Sequence, residues 1–189
     1  MSRLSPEEVL LGLIAPKGGY GYQLLAHFSS PAPLASIWAF STSQLYSLLK
    51  RLENREEIEG REFFPTDAPP RTEYWLTPLG DARLRDWLHH PVPSASTRHI
   101  RTAFISRLYI ARRLGEATAA IISAQRASVE EAIEQVYHQR QTSTCDVQSL
   151  ALDLRLAELQ IILPWLDRAA KQNLCTHCQM SEACMSCQR

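Results

Sequence analysis

The stretch STSQLYSLLKRLENREEIEGREFF, residues 41–64, changes its apolar repeat halfway along. Its leucines first recur at steps of three and four, which predicts the buried face of a helix that Ser41 caps and that runs to about Arg55. Residues 58–64 (IEGREFF) and 71–77 (RTEYWLT) then have the length and residue types of two strands around a proline-rich turn. We therefore expect a helix followed directly by a β-hairpin.

The segments around this stretch predict more helices. The sequence indicates one helix after Pro6, a short second helix from about Tyr20, and a further helix over 78–90. The order helix, helix, helix, hairpin, helix is that of a winged helix-turn-helix domain, which we place at residues 1–90. A small α+β core that binds no nucleic acid is the alternative reading of this order.

The rest of the chain is predicted to be helical. We assign residues 91–97 to a linker, 98–171 to a helical region and 172–189 to a cysteine-rich tail. The last predicted helix, 146–171, has apolar residues at alternating steps of three and four, as in a coiled-coil seam: Val147, Leu150, Leu154, Ala157 and Ile161. The fold class is therefore mainly α, with a two-stranded wing.

Three stretches resemble PadR-type transcriptional regulators: LLGLIAPKGGYGYQLL (10–25), STSQLYSLLKRLE (41–53) and PPRTEYWLTPLGDARLRDWL (69–88). They carry that family's Gly-Tyr after the first helix, its Gln-Leu-Tyr in the recognition helix, and its Arg…Tyr-x-Leu-Thr…Gly wing. FISRLYIARRL (104–114) resembles the start of the long dimerisation region of the larger members. The resemblance implies a homodimer that binds double-stranded promoter DNA, as a repressor.

Two positions depart from the family pattern. Glu56 stands where the family has a glycine that closes the recognition helix, and Tyr20 stands where it has a histidine. Glu56 is expected either to cost up to about 1 kcal/mol in a left-handed turn or to shift the exit of the helix.

In a winged helix-turn-helix domain the third helix enters the major groove. Its expected exposed positions are Thr42, Ser43, Gln44, Ser47, Lys50 and Arg51. Glutamine can pair with adenine, serine and threonine read several bases, and lysine or arginine contacts guanine or phosphate. The resemblance suggests a DNA-backbone contact for Tyr46, and a ring packed partly under the wing is the alternative reading. Arg61 and Arg71 flank the wing turn and are expected either to straddle a phosphate strand or to stay solvated.

Charge argues against strong nonspecific DNA binding. The chain has 20 basic and 20 acidic residues, and residues 1–90 contain nine Lys and Arg against eleven Asp and Glu. A strong nonspecific DNA binder normally has a basic face. We expect each domain to bind DNA with modest affinity, and the protein to gain affinity chiefly because a dimer has two such domains. A winged-helix module for protein contacts, with a structural zinc tail, is the alternative from another functional class.

The tail sequence CTHCQMSEACMSC places Cys175, Cys178, Cys184 and Cys187 in a C-x2-C-x5-C-x2-C pattern. Such closely spaced thiolates bind soft metal centres. An iron–sulfur cluster of the 4Fe–4S type is the first interpretation, zinc is the second, and thiols or disulfides without metal are the third. A centre next to the dimer seam would make the protein redox- or metal-responsive. Cys145 stands alone and is expected to be a small buried hydrophobe.

Other classes lack sequence support. The sequence has no phosphate-binding glycine loop, no HExxH and no GxSxG, so we predict no enzyme. No apolar run reaches the length of a membrane span and the first residues do not resemble a signal peptide, so we expect a cytoplasmic protein. A small aromatic effector between the two regions remains an alternative. Four tryptophans are candidates to line such a site, although each is more often a core residue: Trp38, Trp75, Trp87 and Trp165.

Overall fold

The computed structural model describes residues 6–64 and 70–171. The first part of the chain contains α1 (Glu7–Ile14), β1 (Gly19–Tyr20), α2 (Gly21–Ala26), a 3-10 turn (Pro33–Ser36), α3 (Thr42–Asn54), β2 (Ile58–Phe63), β3 (Arg71–Leu76) and α4 (Pro78–His89). The second part contains α5 (Thr97–His99), a π-helical segment (Ile100–Phe104), α6 (Ile105–Arg113), α7 (Ala119–Thr142) and α8 (Asp146–Lys171). The predicted mainly helical fold with a winged helix-turn-helix is confirmed.

The sheet has the strand order β1-β3-β2, and both pairings are antiparallel. The predicted hairpin pairs Ile58 with Leu76 at its base and Phe63 with Arg71 at its far end. Strand β1 was not predicted. It pairs Gly19 with Tyr74 on the other edge of β3. A strand of two residues is too short for an alternating pattern, so only the packed fold reveals it.

Hydrogen bonds define both the start and the end of helix α3. At its start the Ser41 hydroxyl accepts a hydrogen bond from the Gln44 N–H at 3.2 Å, as the predicted cap requires. At its end the N–H of Glu56 donates to Glu53 O and the N–H of Glu57 donates to Leu52 O, which is a Schellman motif. Glu56 has φ +58°, a value that favours glycine. Of the two expected outcomes, the helix exit keeps its left-handed turn, and a glutamate occupies it.

The two parts of the chain share one buried core. Residues of α1, α3 and α4 cluster with residues of α6, α7 and α8. Gly12 of α1 lies directly against α6, since a Cβ there would come within 2.3 Å of Ile110 Cγ2. The Trp38 indole N–H donates to the fully buried Ser106 hydroxyl at 2.8 Å. Helix α6 is thus packed onto the winged-helix region.

Helices α7 and α8 form a hairpin that is buried at its inner end. There Ile121, Ile122 and Val129 of α7 join Leu159 and Leu166 of α8 in the core. Along the same helix α8, four of the predicted seam residues are 64–75% exposed: Val147, Leu150, Leu154 and Ile161. The seam therefore lies on the outer surface of a single chain. Over the described ranges, no helix is both long and apolar enough to cross a membrane.

A buried carboxylate connects α1 to three other elements. Glu7 is only 4% exposed, and its Oε2 accepts hydrogen bonds from Arg55 at 2.9 Å and Arg83 at 2.8 Å. Its Oε1 lies 3.1 Å from Arg51. Arg83 also donates to Glu57 at 2.6 Å. We call these five residues the Glu7 cluster. It fixes the end of α3 and the start of β2 to α1 and α4.

Glu56→Gly is expected to stabilise the protein. Glycine relieves the left-handed strain and retains the Schellman hydrogen bonds, so the free energy of unfolding should rise by about 1 kcal/mol. Urea denaturation followed by circular dichroism measures the change. Glu56→Ala is the matched control, because it removes the carboxylate but keeps a Cβ at positive φ. Equal stability of the two variants would contradict the strain at this position.

Glu7→Gln is expected to lower the free energy of unfolding by about 3 kcal/mol at neutral pH, since Arg51, Arg55 and Arg83 lose the buried carboxylate that they share. Burial pushes the pKa of Glu7 up, but the hydrogen bonds from Arg83 and Arg55 outweigh it and hold that pKa below its ordinary value of 4.5. The carboxylate therefore stabilises the fold above that value, and the stabilisation is lost as pH falls through the lower folded pKa.

Denaturation of the wild type and of Glu7→Gln should accordingly converge as pH falls below 4.5. The control is Glu62→Gln on the exposed part of β2, which should change stability by less than about 0.5 kcal/mol. A constant difference between wild type and Glu7→Gln across this pH range would show that the carboxylate charge is not what stabilises the fold.

Candidate nucleic-acid interface

The first turns of α3 present a polar face to solvent. The predicted reading residues on this helix are all exposed: Thr42, Ser43, Gln44, Tyr46, Ser47, Lys50 and Arg51. The opposite face packs Leu45, Leu48, Leu49 and Leu52 into the core. The helical period therefore separates the polar set from the core, and each polar side chain can reach a surface laid against α3.

Some of these side chains already hold local structure. Gln44 Oε1 accepts a hydrogen bond from the Ser41 N–H at 2.9 Å, which completes a capping box. A bidentate pair with adenine would need the same oxygen, so in this arrangement Gln44 offers the base its amide donors. The Ser47 hydroxyl donates to Ser43 O at 2.8 Å. The Ser-x-x-Gln spacing of a capping box is visible in the sequence, and it could have indicated the dual role of Gln44.

Tyr46 is packed on one side and exposed on the other. A Cβ at Gly21 would lie 2.6 Å from Tyr46 Oη and 2.8 Å from two ring carbons, so the ring rests on the start of α2. The residue remains 45% exposed. Burial, with the nearby Glu53 and Tyr46, raises the pKa of Tyr74 on the wing. The ring thus lies between α2 and the wing, and the predicted DNA-backbone contact remains a prediction.

Most cations of the winged-helix region are already paired with acids. Arg51, predicted to meet DNA, belongs to the Glu7 cluster, and Arg61 lies 3.3 Å from Glu59. Within the described part of residues 1–90, the lysines and arginines outside any ion pair are Lys17, Lys50 and Arg71. The sequence showed the acidic excess but not which cations it occupies.

The wing arginines lie over aromatic rings. The Arg61 guanidinium is 5.6 Å from the centre of Trp75, and that of Arg71 is 5.9 Å from Tyr20. Tyr20 stacks on Tyr22 at 5.8 Å. These rings hold the two predicted phosphate-contacting cations on one face of the hairpin, where antiparallel pairing also places Glu73 opposite Arg61. The sequence placed the arginines on the wing but missed their aromatic supports.

Helix α3 lies beside the wing. Near the base, the Gly60 N–H donates to the Glu53 carboxylate at 3.2 Å. Two turns earlier, Tyr46 packs on Gly21, which follows a β1 residue paired with Glu73. Glu53 and Tyr46 both lie near Tyr74, so two turns of α3 face the same part of β3.

A cleft of about 500 Å³ lies beside this interface, between the end of α1, β1, α2 and the end of α6. Leu13 and Leu24 line its apolar part, and Lys17 and Arg113 contribute cations. His27 also lines it, and burial together with the charge of Arg113 lowers the pKa of His27 to about 4. Arg113 Nε is buried and has no hydrogen-bond partner among the described residues.

The four tryptophans do not line this cleft. Trp38 donates to Ser106, Trp75 donates to Glu73, Trp87 lies 4.9 Å from the Arg107 guanidinium, and Trp165 meets Phe104 edge-on. Each therefore has a separate packing role. Trp38, Trp87 and Trp165 pack against the hydrophobic core, as the core reading of these residues predicted.

The cysteine tail, with Cys175, Cys178, Cys184 and Cys187, lies outside the described residues. Within 6–64 and 70–171, no three histidine, cysteine or acidic side chains converge to hold a metal ion. Cys145 was expected to be buried, and it is exposed. It precedes α8 in the turn after α7, beyond the buried inner end of the hairpin.

Residues 10–86 match the transcriptional regulator PadR-like family. A stretch of 102 residues is 28% identical to the negative transcriptional regulator PadR of Bacillus subtilis, and it covers 53% of this chain and 53% of that protein. The alignment thus spans about half the length of the curated relative. The solved structure of Bacillus subtilis PadR with operator DNA is 21% identical and superposes with a TM-score of 0.42 over 87% of this chain and 96% of that one. The solved structure of the same protein with p-coumaric acid is 21% identical to this chain. It superposes with a TM-score of 0.39 over 87% of this chain and 92% of that one.

Proposed function

Since residues 10–86 belong to the PadR-like family of transcriptional regulators, we propose that this chain is a homodimeric repressor that binds promoter DNA. One observation carries the proposal. The first two turns of α3 expose a polar face beside the wing, on which Arg71 lies outside any ion pair of the described residues. A helix and a β-ribbon placed in this way fit the major groove and the adjacent backbone.

Each exposed residue of α3 has a chemical role in this proposal. Thr42, Ser43 and Ser47 carry hydroxyls that donate to or accept from base edges and phosphates. Gln44 presents its amide donors while its oxygen caps the helix. Lys50 supplies a cation outside any ion pair of the described residues. Specificity then comes from hydrogen bonds more than from charge.

The second copy is supported by α8. Val147, Leu150, Leu154 and Ile161 repeat at heptad-like steps and are 64–75% exposed in a single chain. Burying such a stripe against its symmetry copy removes apolar surface from water. A dimer carries two α3 helices, which fit half-sites about 34–36 Å apart or a multiple of that.

The double variant Gln44→Glu/Lys50→Ala tests the reading face. Glutamate keeps the carbonyl-type oxygen of the capping box but loses the amide donors, so the fold is retained. The probe is a duplex that the wild-type protein selects from a randomised library. Affinity, measured by fluorescence anisotropy, should fall about 30-fold or more.

Gln139→Glu/Lys171→Ala is the matched control, because it makes the same chemical changes on exposed positions of α7 and α8. It should bind like the wild type. Equal binding by the Gln44→Glu/Lys50→Ala variant would contradict the assignment of α3. A wild-type protein that selects no duplex would favour the protein-interaction module instead.

We further propose that Cys175, Cys178, Cys184 and Cys187 bind a metal centre that controls DNA binding. The spacing of the cysteines supports an iron–sulfur cluster before zinc, because a cubane accepts closely spaced ligands. The end of α8, which precedes the tail in the sequence, is connected to α6: Arg112 of α6 donates a hydrogen bond to Ala169 O near the end of α8 at 3.0 Å. A change that moves the end of α8 would act on α6, and α6 packs against α1.

Purification without oxygen, followed by a visible spectrum and assays for iron, sulfide and zinc, tests the tail. We expect a broad brown absorption with stoichiometric iron and sulfide. Cys175→Ser/Cys178→Ser should abolish the absorption, and Cys145→Ser is the matched control that should keep it, since Cys145 is exposed on the α7–α8 turn. A colourless protein with one zinc would identify a structural centre. Absence of metal in the anaerobic protein would refute the proposal.

The cleft supports a second candidate signal, a small organic acid. Lys17 and Arg113 favour an anion over an amine, and Leu13 and Leu24 provide an apolar surface for its body. p-Coumaric acid is a suitable probe. It should release the selected duplex from the wild type, and Lys17→Gln/Arg113→Gln should need about tenfold more acid. Lys171→Gln is the control. An unchanged requirement in the double variant would exclude the cleft as the binding site.

A further inference from the structure

Side chains of the α7–α8 hairpin hold the connection between α4 and α5, which leads out of the winged-helix region. Gln125 of α7 donates from Nε2 to Ser94 O at 2.9 Å, and Arg155 of α8 donates to Ala95 O at 2.8 Å. Gln125 is only 2% exposed, so its hydrogen bond lies inside the fold. Two neighbouring carbonyls of the α4–α5 connection are thus bound by two different helices.

The backbone that leads into the hairpin does not by itself set the direction of the hairpin. It passes through the turn between α6 and α7, where Gly115 has φ +75° and a Cβ would meet no atom within 4 Å beyond its chain neighbours. Apolar contacts at the inner end of the hairpin stabilise its association with the core, but they are non-directional. Hydrogen bonds have preferred distances and angles, so the polar contacts are the ones that fix a direction.

These polar contacts lie at two separated places along α8. Arg112 of α6 donates to Ala169 O near the end of the helix, and Arg155 lies about 20 Å earlier along the helix axis. Pro164 lies between the two places and lacks the N–H for a helical hydrogen bond, so the helix bends more easily there. The contact at Ala169 alone therefore does not fix the part of α8 before Pro164, and Arg155 does.

The part of α8 that Arg155 fixes also carries the proposed dimer seam. Leu154 directly precedes Arg155 and is 64% exposed in a single chain. The α4–α5 connection, in turn, continues from α4, whose Arg83 belongs to the Glu7 cluster that also holds the end of α3. Arg155 is therefore a link in the contacts that join the seam to the DNA-reading helix. In a symmetric dimer, a change in the direction of both hairpins changes the distance and rotation between the two α3 helices.

We propose that Gln125 and Arg155 are positioning residues that set the separation of the two α3 helices in the dimer, and with it the spacing of half-sites that the protein accepts. This inference rests on the proposed DNA-binding dimer, and neither residue contacts DNA in it. One base pair added between half-sites moves a half-site by about 3.4 Å and turns it by about 35°. A firmly held hairpin therefore accepts one spacing, and a loosened hairpin accepts several.

The test uses Gln125→Met/Arg155→Met, which replaces both donors with unbranched apolar side chains. The probes are the duplex that the wild-type protein selects, versions with one or two base pairs added or removed between the half-sites, and a single half-site. Fluorescence anisotropy measures each affinity. The wild type should bind the selected spacing about tenfold or more tightly than the altered ones. The variant should bind all spacings within about threefold of one another and the single half-site as the wild type does.

Gln135→Met/Arg140→Met is the matched control, because it makes the same chemical changes on α7. Gln135 donates to Glu131 and Arg140 to Asp153, so these bonds lie within the hairpin and do not involve the α4–α5 connection. The control should keep the spacing preference of the wild type. Arg155→Met alone, on a side chain that is 33% exposed, repeats the test if the double variant does not fold.

An unchanged spacing preference in the Gln125→Met/Arg155→Met variant would overturn the positioning role. Loss of affinity for the single half-site would overturn it too, since the substitutions would then disturb the winged-helix region itself. Dissociation of the variant dimer in sedimentation would assign the two residues to the dimer contact instead. A wild-type protein that selects no duplex refutes the proposed function, and is thereby distinguished from a failure of the positioning role alone.

Discussion

The buried carboxylate of Glu7 is the constraint on which the arrangement of the winged-helix region depends. It is 4% exposed, and Arg55, Arg83 and Arg51 all converge on it. An isolated charge in such a position would be prohibitively unfavourable, so the cluster forms as a whole or not at all. Because its members lie on α1, on or just after α3, before β2 and on α4, satisfying one charge sets the positions of all four elements.

The same cluster shapes the surface available to DNA. Arg51, Arg55 and Arg83 form ion pairs with Glu7 in this cluster, and Arg61 forms an ion pair with Glu59, so these arginines are already paired within the chain. What α3 presents is therefore mostly hydroxyl and amide, with Lys50 as a cation outside these pairs. A protein built in this way gains little from nonspecific attraction to phosphate. For the proposed binding to DNA, shape, hydrogen bonds and apolar contact must then supply the affinity.

The helical region is coupled to this surface through packing. Gly12 allows α6 to lie directly on α1, and the Trp38–Ser106 hydrogen bond fixes the loop before α3 to α6. At the other end of α6, Arg112 is hydrogen-bonded to Ala169 O near the end of α8. A shift at the end of α8, which precedes the cysteines in the sequence, has a continuous packed route to the loop before α3. Closely packed interiors transmit such shifts because they have few voids to absorb them.

The sequence by itself determined the elements whose signals are local. Leucine spacing and the Ser41 cap defined α3, the change to strand residues defined the hairpin, and the heptad-like repeat defined α8 over 146–171. At Glu56 the sequence left a left-handed turn and a shifted helix exit both open, and the structure has the left-handed turn. Only the tertiary structure decided that β1 joins the sheet, that Glu7 receives Arg83 from 76 residues away, and that Cys145 is exposed. Helix and strand periods are written in neighbouring residues. The partner of a buried charge or of a two-residue strand depends on which distant elements meet, and only the packed chain fixes that.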